Sequence, residues 1–226
     1  MKKTFILLAF FFLTAPLFSQ EYRDPADSIV KSTRLSGDDW IIGLSVSIAG
    51  GVEMYDSLGN KLYESGEGFY TLSMINKQTV LKKFEYYYPE NSYHAKLKLK
   101  RNLNISDNNI CHYTKDSIEK AANEWICPNI YSITTKDSIK VYSVQQNADH
   151  APVYDIWLRT MDSSGYSHFG HINLFDFHFP PQLEADFFHE NLNLKYNTST
   201  FIYRALINYF RLLEKYFNVR SLEKFY

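Results

Sequence analysis

The sequence predicts a β-rich α+β fold: a mainly antiparallel meander sheet accompanied by a short helix and a long C-terminal helix. Three observations predict it. Aromatic residues make up 17% of the 226-residue chain, with 18 Tyr and 17 Phe, and these favour the pleated, half-buried surface of a strand. Short apolar words follow one another from residue 40 to 101 with turn residues between them. Two later stretches, at 116–128 and 199–217, change to helical periodicity. Residues 37–226 are read as a single globular α+β domain of about nine or ten strands, whose meander is able to curl into a partly open barrel.

Residues 1–20, MKKTFILLAFFFLTAPLFSQ, place two lysines before an apolar run from Phe5 to Leu13, then Pro16 and Ser19. That is the layout of a bacterial-type signal peptide, too short in its apolar part to span a bilayer. The expectation is an exported chain, periplasmic or extracellular, with no membrane span in its mature form. Loss of residues 1–20 removes Lys2 and Lys3, so 24 basic residues become 22 against 25 acidic. A mixed surface with so little net charge carries no footprint for nucleic acid.

Residues 21–36 are polar, contain Pro25 and show no sustained period, which reads as a loosely held N-terminal arm. WIIGLSVSIA from Trp40 is the first strand, and VEMY and KLYE around DSLGN form a hairpin closed by Gly59. FYTLSMI, TVLKKFEYYY and SYHAKLKLKR continue the meander. In the last of these, Lys96, Lys98 and Lys100 alternate with Leu97 and Leu99, so lysines line one face. Lysine on an exposed edge strand guards against edge-to-edge pairing. Next, DSIEKAANEWICP has Asp116 and Glu119 at capping-box spacing and an apolar face through Ile118, Ala121, Ala122, Trp125 and Ile126.

Cys111 and Cys127 flank that helix and are the only two cysteines. In an oxidising compartment they are expected to form a disulfide that staples the helix to the preceding strand. The word Lys-Asp-Ser-Ile occurs at 115–118 and again at 136–139, first in a helix and then in a hairpin turn, and no fixed-period repeat accompanies it. VYDIWLRTM and GHINLFDFHF flank DSSG as another hairpin, and Pro180-Pro181 can open a short helix through QLEADFFHE. The final helix buries a stripe of Ile202, Ala205, Leu206, Tyr209, Leu213 and Tyr216. Its other side carries Arg204, Asn208, Arg211 and Lys215, a solvated face with the capacity to dock an acidic partner.

Catalysis, if present, has to begin at the histidines, four of which lie between residues 168 and 189. On a regular strand His171 and His178 point to opposite faces. His168 shares parity with His178 but stands about 33 Å away at 3.3 Å per residue, and a bulge at Gly170 would change the parity without closing that distance. Asp176 and His178 are two apart on one face and are the weak candidates for a catalytic or metal pair. Glu184, Asp186 or His189 would have to complete it. The competing reading, which is favoured, is a polar pair near the end of a two-sided central strand.

Tyr86 and Tyr88 share a face and are the weak candidates for a ligand-stacking platform. There is no glycine-rich phosphate loop, HExxH, GxSxG or CxxC, and no cofactor is expected. The functional expectation is a non-enzymatic binding or accessory module of the cell envelope, acting on an unidentified ligand or envelope protein. A metal-dependent hydrolase using Asp176 and His178, and an inhibitor or shielding factor for another protein, are the alternatives.

Overall fold

Alternation within one strand organises the molecule. In β1 (Trp40–Ile48) the side chains of Trp40, Ile42, Leu44 and Val46 enter the larger of two cores, whereas Ile41 enters the smaller one on the opposite face. A strand apolar on both faces belongs at the centre of a covered sheet. The computed structural model describes residues 24–48, 67–90, 92, 94–124, 126, 130–134, 139–143, 152–161, 165–173, 190–191 and 193–219.

Around β1 lie β2 (Gly68–Ile75), β3 (Gln78–Tyr87) and β4 (Lys96–Asn104) on one side. On the other are β7 (Pro152–Thr160) and β8 (Tyr166–Asn173), giving the fully antiparallel order β4-β3-β2-β1-β7-β8. Asn76 and Lys77, at φ 50° and 64°, form the two-residue turn between β2 and β3. Two consecutive residues of positive φ match the twist of the flanking strands. A second sheet, ordered β6-β5-β9, joins β5 (Ile130–Thr134), β6 (Ile139–Ser143) and β9 (Glu190–Asn191).

Each face of the six-stranded sheet carries helices. The larger core is roofed by α2 (Asn108–Lys120), a short 3₁₀ turn (Ala121–Asn123) and α4 (Phe201–Phe217), with α3 (Leu194–Ser199) leading into the last of these. Its buried aromatics include Trp40, Tyr70, Tyr154, Tyr209 and Phe210. The smaller core is closed by α1 (Pro25–Ser32), whose Ala26 and Val30 are fully buried against Ile41, Phe69 and Trp157. The segment expected as a loose polar arm thus contains a packed helix. Asp24 caps it by accepting from the Ala26 amide at 2.9 Å, and Pro25 stands in the first turn, where no amide partner is needed.

Two contacts fix α1 on the sheet. The Arg159 guanidinium of β7 donates to the carbonyls of Val30 (3.1 Å), Lys31 and Thr33 (2.7 Å), satisfying the C-terminal carbonyls of α1 with a cation. Val30 packs over Gly43 of β1, where a Cβ would come within 2.8 Å of Val30 Cγ2 and 3.0 Å of the Phe69 ring. Only glycine leaves room for the helix there.

The α+β class, the antiparallel meander and the long C-terminal helix agree with the sequence reading. Four particulars differ. The sheet is open, with β4 and β8 as its two edges, and does not curl into a barrel; helices cover both faces, an arrangement that needs no closure. Helix α2 begins at Asn108, so Asp116 lies inside it and caps nothing. The buried side of α2 is Cys111, Thr114, Ser117 and Ile118, a stripe too polar to register as a hydrophobic period.

The third difference is covalent. Cys111 is a free thiol, fully buried in the larger core, so the expected Cys111–Cys127 disulfide is not formed. Its position on the inward side of α2 turns the sulfur toward α4. Cys127 lies outside the described residues. Burial first, and the Asp107 carboxylate second, push the Cys111 thiol up to about 12, which leaves it protonated and unreactive at neutral pH.

The fourth concerns the lysine row. β4 is an edge strand, as the guard reading requires, but a bulge where Lys83 pairs with Arg101 and Phe84 with Leu99 inserts Lys100 as an extra residue. Parity flips there: Leu97 packs on the smaller core and Leu103 on the larger. The hairpin expected at 52–64 and the helix expected after Pro181 lie outside the described residues.

Two measurements check this architecture. Gly43→Ala is expected to lower the free energy of unfolding in urea by about 1–3 kcal/mol through overpacking against α1, and adding Val30→Ala to recover part of the loss. In a Cys127→Ser chain, Cys111 is expected to react with a thiol reagent at least about a hundredfold more slowly in the native state than in denaturant.

Candidate functional site

Helices α2 and α4 run antiparallel and are fastened at both ends by acids. At one end Asp107, the residue before α2, accepts from Lys215 Nζ at 2.9 and 2.7 Å and from the Tyr216 hydroxyl at 2.6 Å, both on the last turn of α4. These donors hold its carboxyl below the usual range: Lys215 contributes most and Tyr216 next. At the other end Glu124, just past the 3₁₀ turn, accepts from the Phe201 and Ile202 amides at 2.7 and 3.1 Å. A carboxylate there satisfies two orphan donors and complements the helix dipole. Thr200 caps the same end by accepting from the Tyr203 amide at 3.3 Å.

Between these clamps the outer surfaces of the two helices leave an open cleft of about 490 Å³. Tyr113, Asp116 and Lys120 of α2 face Phe201, Arg204 and Arg211 of α4 across it, over a floor that includes Ile207 and Asn208. The Lys120 ammonium lies 5.6 Å and the Arg204 guanidinium 5.1 Å from the centre of the Phe201 ring. One ring therefore gathers two cations, each held by attraction to its face. Among the described residues neither Lys120 nor Arg204 forms an ion pair.

Acids do not balance them. Lys115 draws the acidic side chains of α2 toward itself, at 2.7 Å from Glu119 and 3.9 Å from Asp116. Tyr113 is 67% exposed on the rim and available to a ligand. The cleft thus combines the cations Lys120, Arg204 and Arg211, the acid Asp116 and the aromatic rings of Tyr113, Phe201 and Tyr203. Its α4 wall is the stripe singled out in the sequence as able to dock an acidic partner, with Arg204, Asn208 and Arg211 on the cleft and Lys215 drawn off to Asp107. Sequence reasoning missed the α2 wall, since Tyr113 and Lys120 carry no periodic signal of their own.

The histidine-rich stretch divides in two. His168, on β8, stacks parallel on Trp157 at 4.9 Å between ring centres, and its Nε2 lies 3.6 Å from Asp155. The bulge allowed for at Gly170 is present: Tyr154 pairs with Ile172 and Ile156 with Phe169. Asp155 fits there because Gly170 has no Cβ, which would stand 2.8 Å from its carboxylate oxygen. His171 and Asn173 lie on the strand backbone, whereas Asp176, His178, Glu184, Asp186 and His189 lie outside the described residues.

Near His168, Asp27 of α1 accepts from the Tyr166 hydroxyl and pairs with Lys31 at 2.8 Å. Burial, with Asp155 and Asp27 adding, raises the Asp24 carboxyl despite its bond from Ala26. Among the described residues no three His, Cys, Asp or Glu side chains converge as metal ligands. Tyr86 is half-buried and its hydroxyl lies 3.0 Å from that of Ser45, while Tyr88 lies past the end of β3, 70% exposed. The first is packed on the smaller core and the second stands in solvent.

Among the described residues no helix is long and apolar enough to cross a membrane. Compared with known proteins, the chain matches no family model, no curated protein and no solved structure.

The Asp107 clamp gives a pH dependence with a definite sign. A carboxyl lowered on folding contributes stability at and above its unfolded value and loses it as pH falls through the folded one. Asp107→Asn is expected to lower the melting temperature at neutral pH and to flatten its decline between about pH 5 and pH 2, read by thermal denaturation across that range.

Proposed function

We propose that the protein is an exported, non-enzymatic binding module of the cell envelope, and that the cleft between α2 and α4 takes an anionic ligand. Export rests on the charged, apolar and small-residue layout of residues 1–20. Binding rests on one observation above the others: Lys120 and Arg204 converge on the Phe201 ring, and among the described residues neither forms an ion pair. Like charges so placed raise the local potential, and a ligand carboxylate, phosphate or sulfate relieves it.

The geometry favours binding over chemistry. Arginine stays protonated at any ordinary pH and is no proton acceptor. The groups present attract, orient and desolvate an anion.

Binding of poly-L-glutamate, polygalacturonate and inorganic phosphate to the mature chain, measured calorimetrically at low and high salt, tests this. At least one of them is expected to bind at low salt and to weaken by roughly tenfold or more, about 1.4 kcal/mol, in a Lys120→Glu/Arg204→Glu chain whose melting temperature is unchanged. No binding by any of the three, or binding indifferent to those substitutions, overturns the proposal.

A further inference from the structure

Building on the reading of the cleft as an anion site, we infer that its ligand is an acidic sugar chain: a uronate oligosaccharide whose carboxylate meets Lys120 and Arg204 and whose hydroxyls meet Asp116 and Asn208. Three features of the cleft separate this from a compact anion.

The first is an acid in a basic cleft. Asp116 lines it beside the cations. Its side chain is 52% exposed and meets Lys115 only at 3.9 Å, since Lys115 lies closer to Glu119 at 2.7 Å. A carboxylate accepts hydrogen bonds and donates none. It repels a phosphate or a bare carboxylate, but it accepts from hydroxyls carried beside a ligand's charge. The Asn208 amide, which donates as well as accepts, also lines the cleft and among the described residues has no hydrogen-bond partner. A site that offers such groups to hydroxyls discriminates strongly against a ligand that lacks them.

The second is the order of these groups along the helices. Helix α2 presents Tyr113, Asp116 and Lys120 at i, i+3 and i+7, and the antiparallel α4 presents Arg204 and Asn208 at i and i+4. The two cations therefore gather at the Phe201 end. Asp116 and Asn208 each follow about one turn along their helix, and Tyr113 stands a turn beyond Asp116. The backbones of Tyr113 and Lys120 are about 10 Å apart at 1.5 Å per residue, further than one sugar ring reaches, so neighbouring units of a chain are engaged. Arg211 has an interaction of its own, and no part of the recognition is assigned to it. The N-terminus of α4, a natural seat for phosphate, is taken by the Glu124 carboxylate.

The third is the aromatic surface, to which Tyr113, Phe201 and Tyr203 contribute. The Phe201 face holds the two cations. Tyr203 is half-buried against the larger core with an interaction of its own, and adds wall rather than a stacking face. Tyr113, 67% exposed, presents its ring at the opening, and a pyranose lays its C–H bonds on such a ring. Aromatic surface beside a few placed polar groups, in a cleft of about 490 Å³, is the make-up of a small-ligand site.

The test is calorimetric titration of the mature chain with trigalacturonate, its trimethyl ester and tricarballylate, a tricarboxylate without hydroxyls. Trigalacturonate is expected to bind at low salt at least about tenfold more tightly than either of the others. Tyr113→Ala and Asp116→Ala are each expected to weaken it by about fivefold or more at an unchanged melting temperature, while Asp116→Ala leaves tricarballylate binding equal or stronger. A cleft that reads charge alone would bind trigalacturonate more tightly, not less, after Asp116→Ala. Equal binding of trigalacturonate and tricarballylate, or trigalacturonate binding indifferent to Tyr113→Ala and Asp116→Ala, overturns the sugar ligand and leaves the anion site standing. No binding of trigalacturonate overturns it as well, and the anion site then rests on poly-L-glutamate and phosphate. Binding of trigalacturonate that survives Lys120→Glu/Arg204→Glu overturns both readings together.

Discussion

The two-sided pairing of β1 is the constraint on which the rest of the structure depends. It joins β2 through a ladder from Trp40–Met74 to Val46–Gly68, and β7 through a ladder from Trp40–Thr160 to Ile48–Pro152. The N-terminal meander and the later β7–β8 hairpin meet nowhere else in the sheet. Its register also sorts the side chains between two cores. A slip of one residue would exchange Trp40, Ile42 and Leu44 with Ile41, Gly43 and Ser45, and so bring large side chains where α1 requires the absence of a Cβ. The glycine and the register therefore specify each other.

The helix pair above the larger core obeys a different logic. Its inner surfaces are fixed by apolar burial, and its ends by the two carboxylates of Asp107 and Glu124. Between the clamps Glu119 of α2 is held by Lys115, and the cleft is lined by Lys120, Arg204 and Arg211 with Asp116 as its acid.

Much of the fold was legible in the sequence, for identifiable reasons. Strands β1 to β4, β7 and α4 carry strong periods, and α4 ends at Phe217, where the helical stretch read in the sequence ends. The errors fall where period and burial part company. Helix α2 buries Cys111, Thr114 and Ser117, so its first two turns look like a loop. Helix α1 is short, and buries only Ala26 and Val30 fully. The disulfide followed from compartment and count, two premises that contain no geometry; one cysteine on the inner side of a roof helix defeats them. Of the candidate site, the α4 wall was visible as a basic stripe, but its meeting with Lys120 and Tyr113 depends on tertiary packing.

The cap that Arg159 places on α1 has a consequence for the order of events along the chain. Its acceptors at residues 30 to 33 precede it by 126 to 129 positions, so the N-terminal helix cannot be locked until most of the polypeptide is available. Contacts of such long range are slow to close, because loop entropy is lost before they form. Until β7 arrives, Ile41 and Phe69 lack their Trp157 neighbour, and α1 lacks the cation that caps its C-terminal carbonyls. The nascent chain thus keeps one face of its sheet unfinished to a late stage. In that interval a holding chaperone has a defined apolar target, and a truncation before residue 159 would make the exposure permanent.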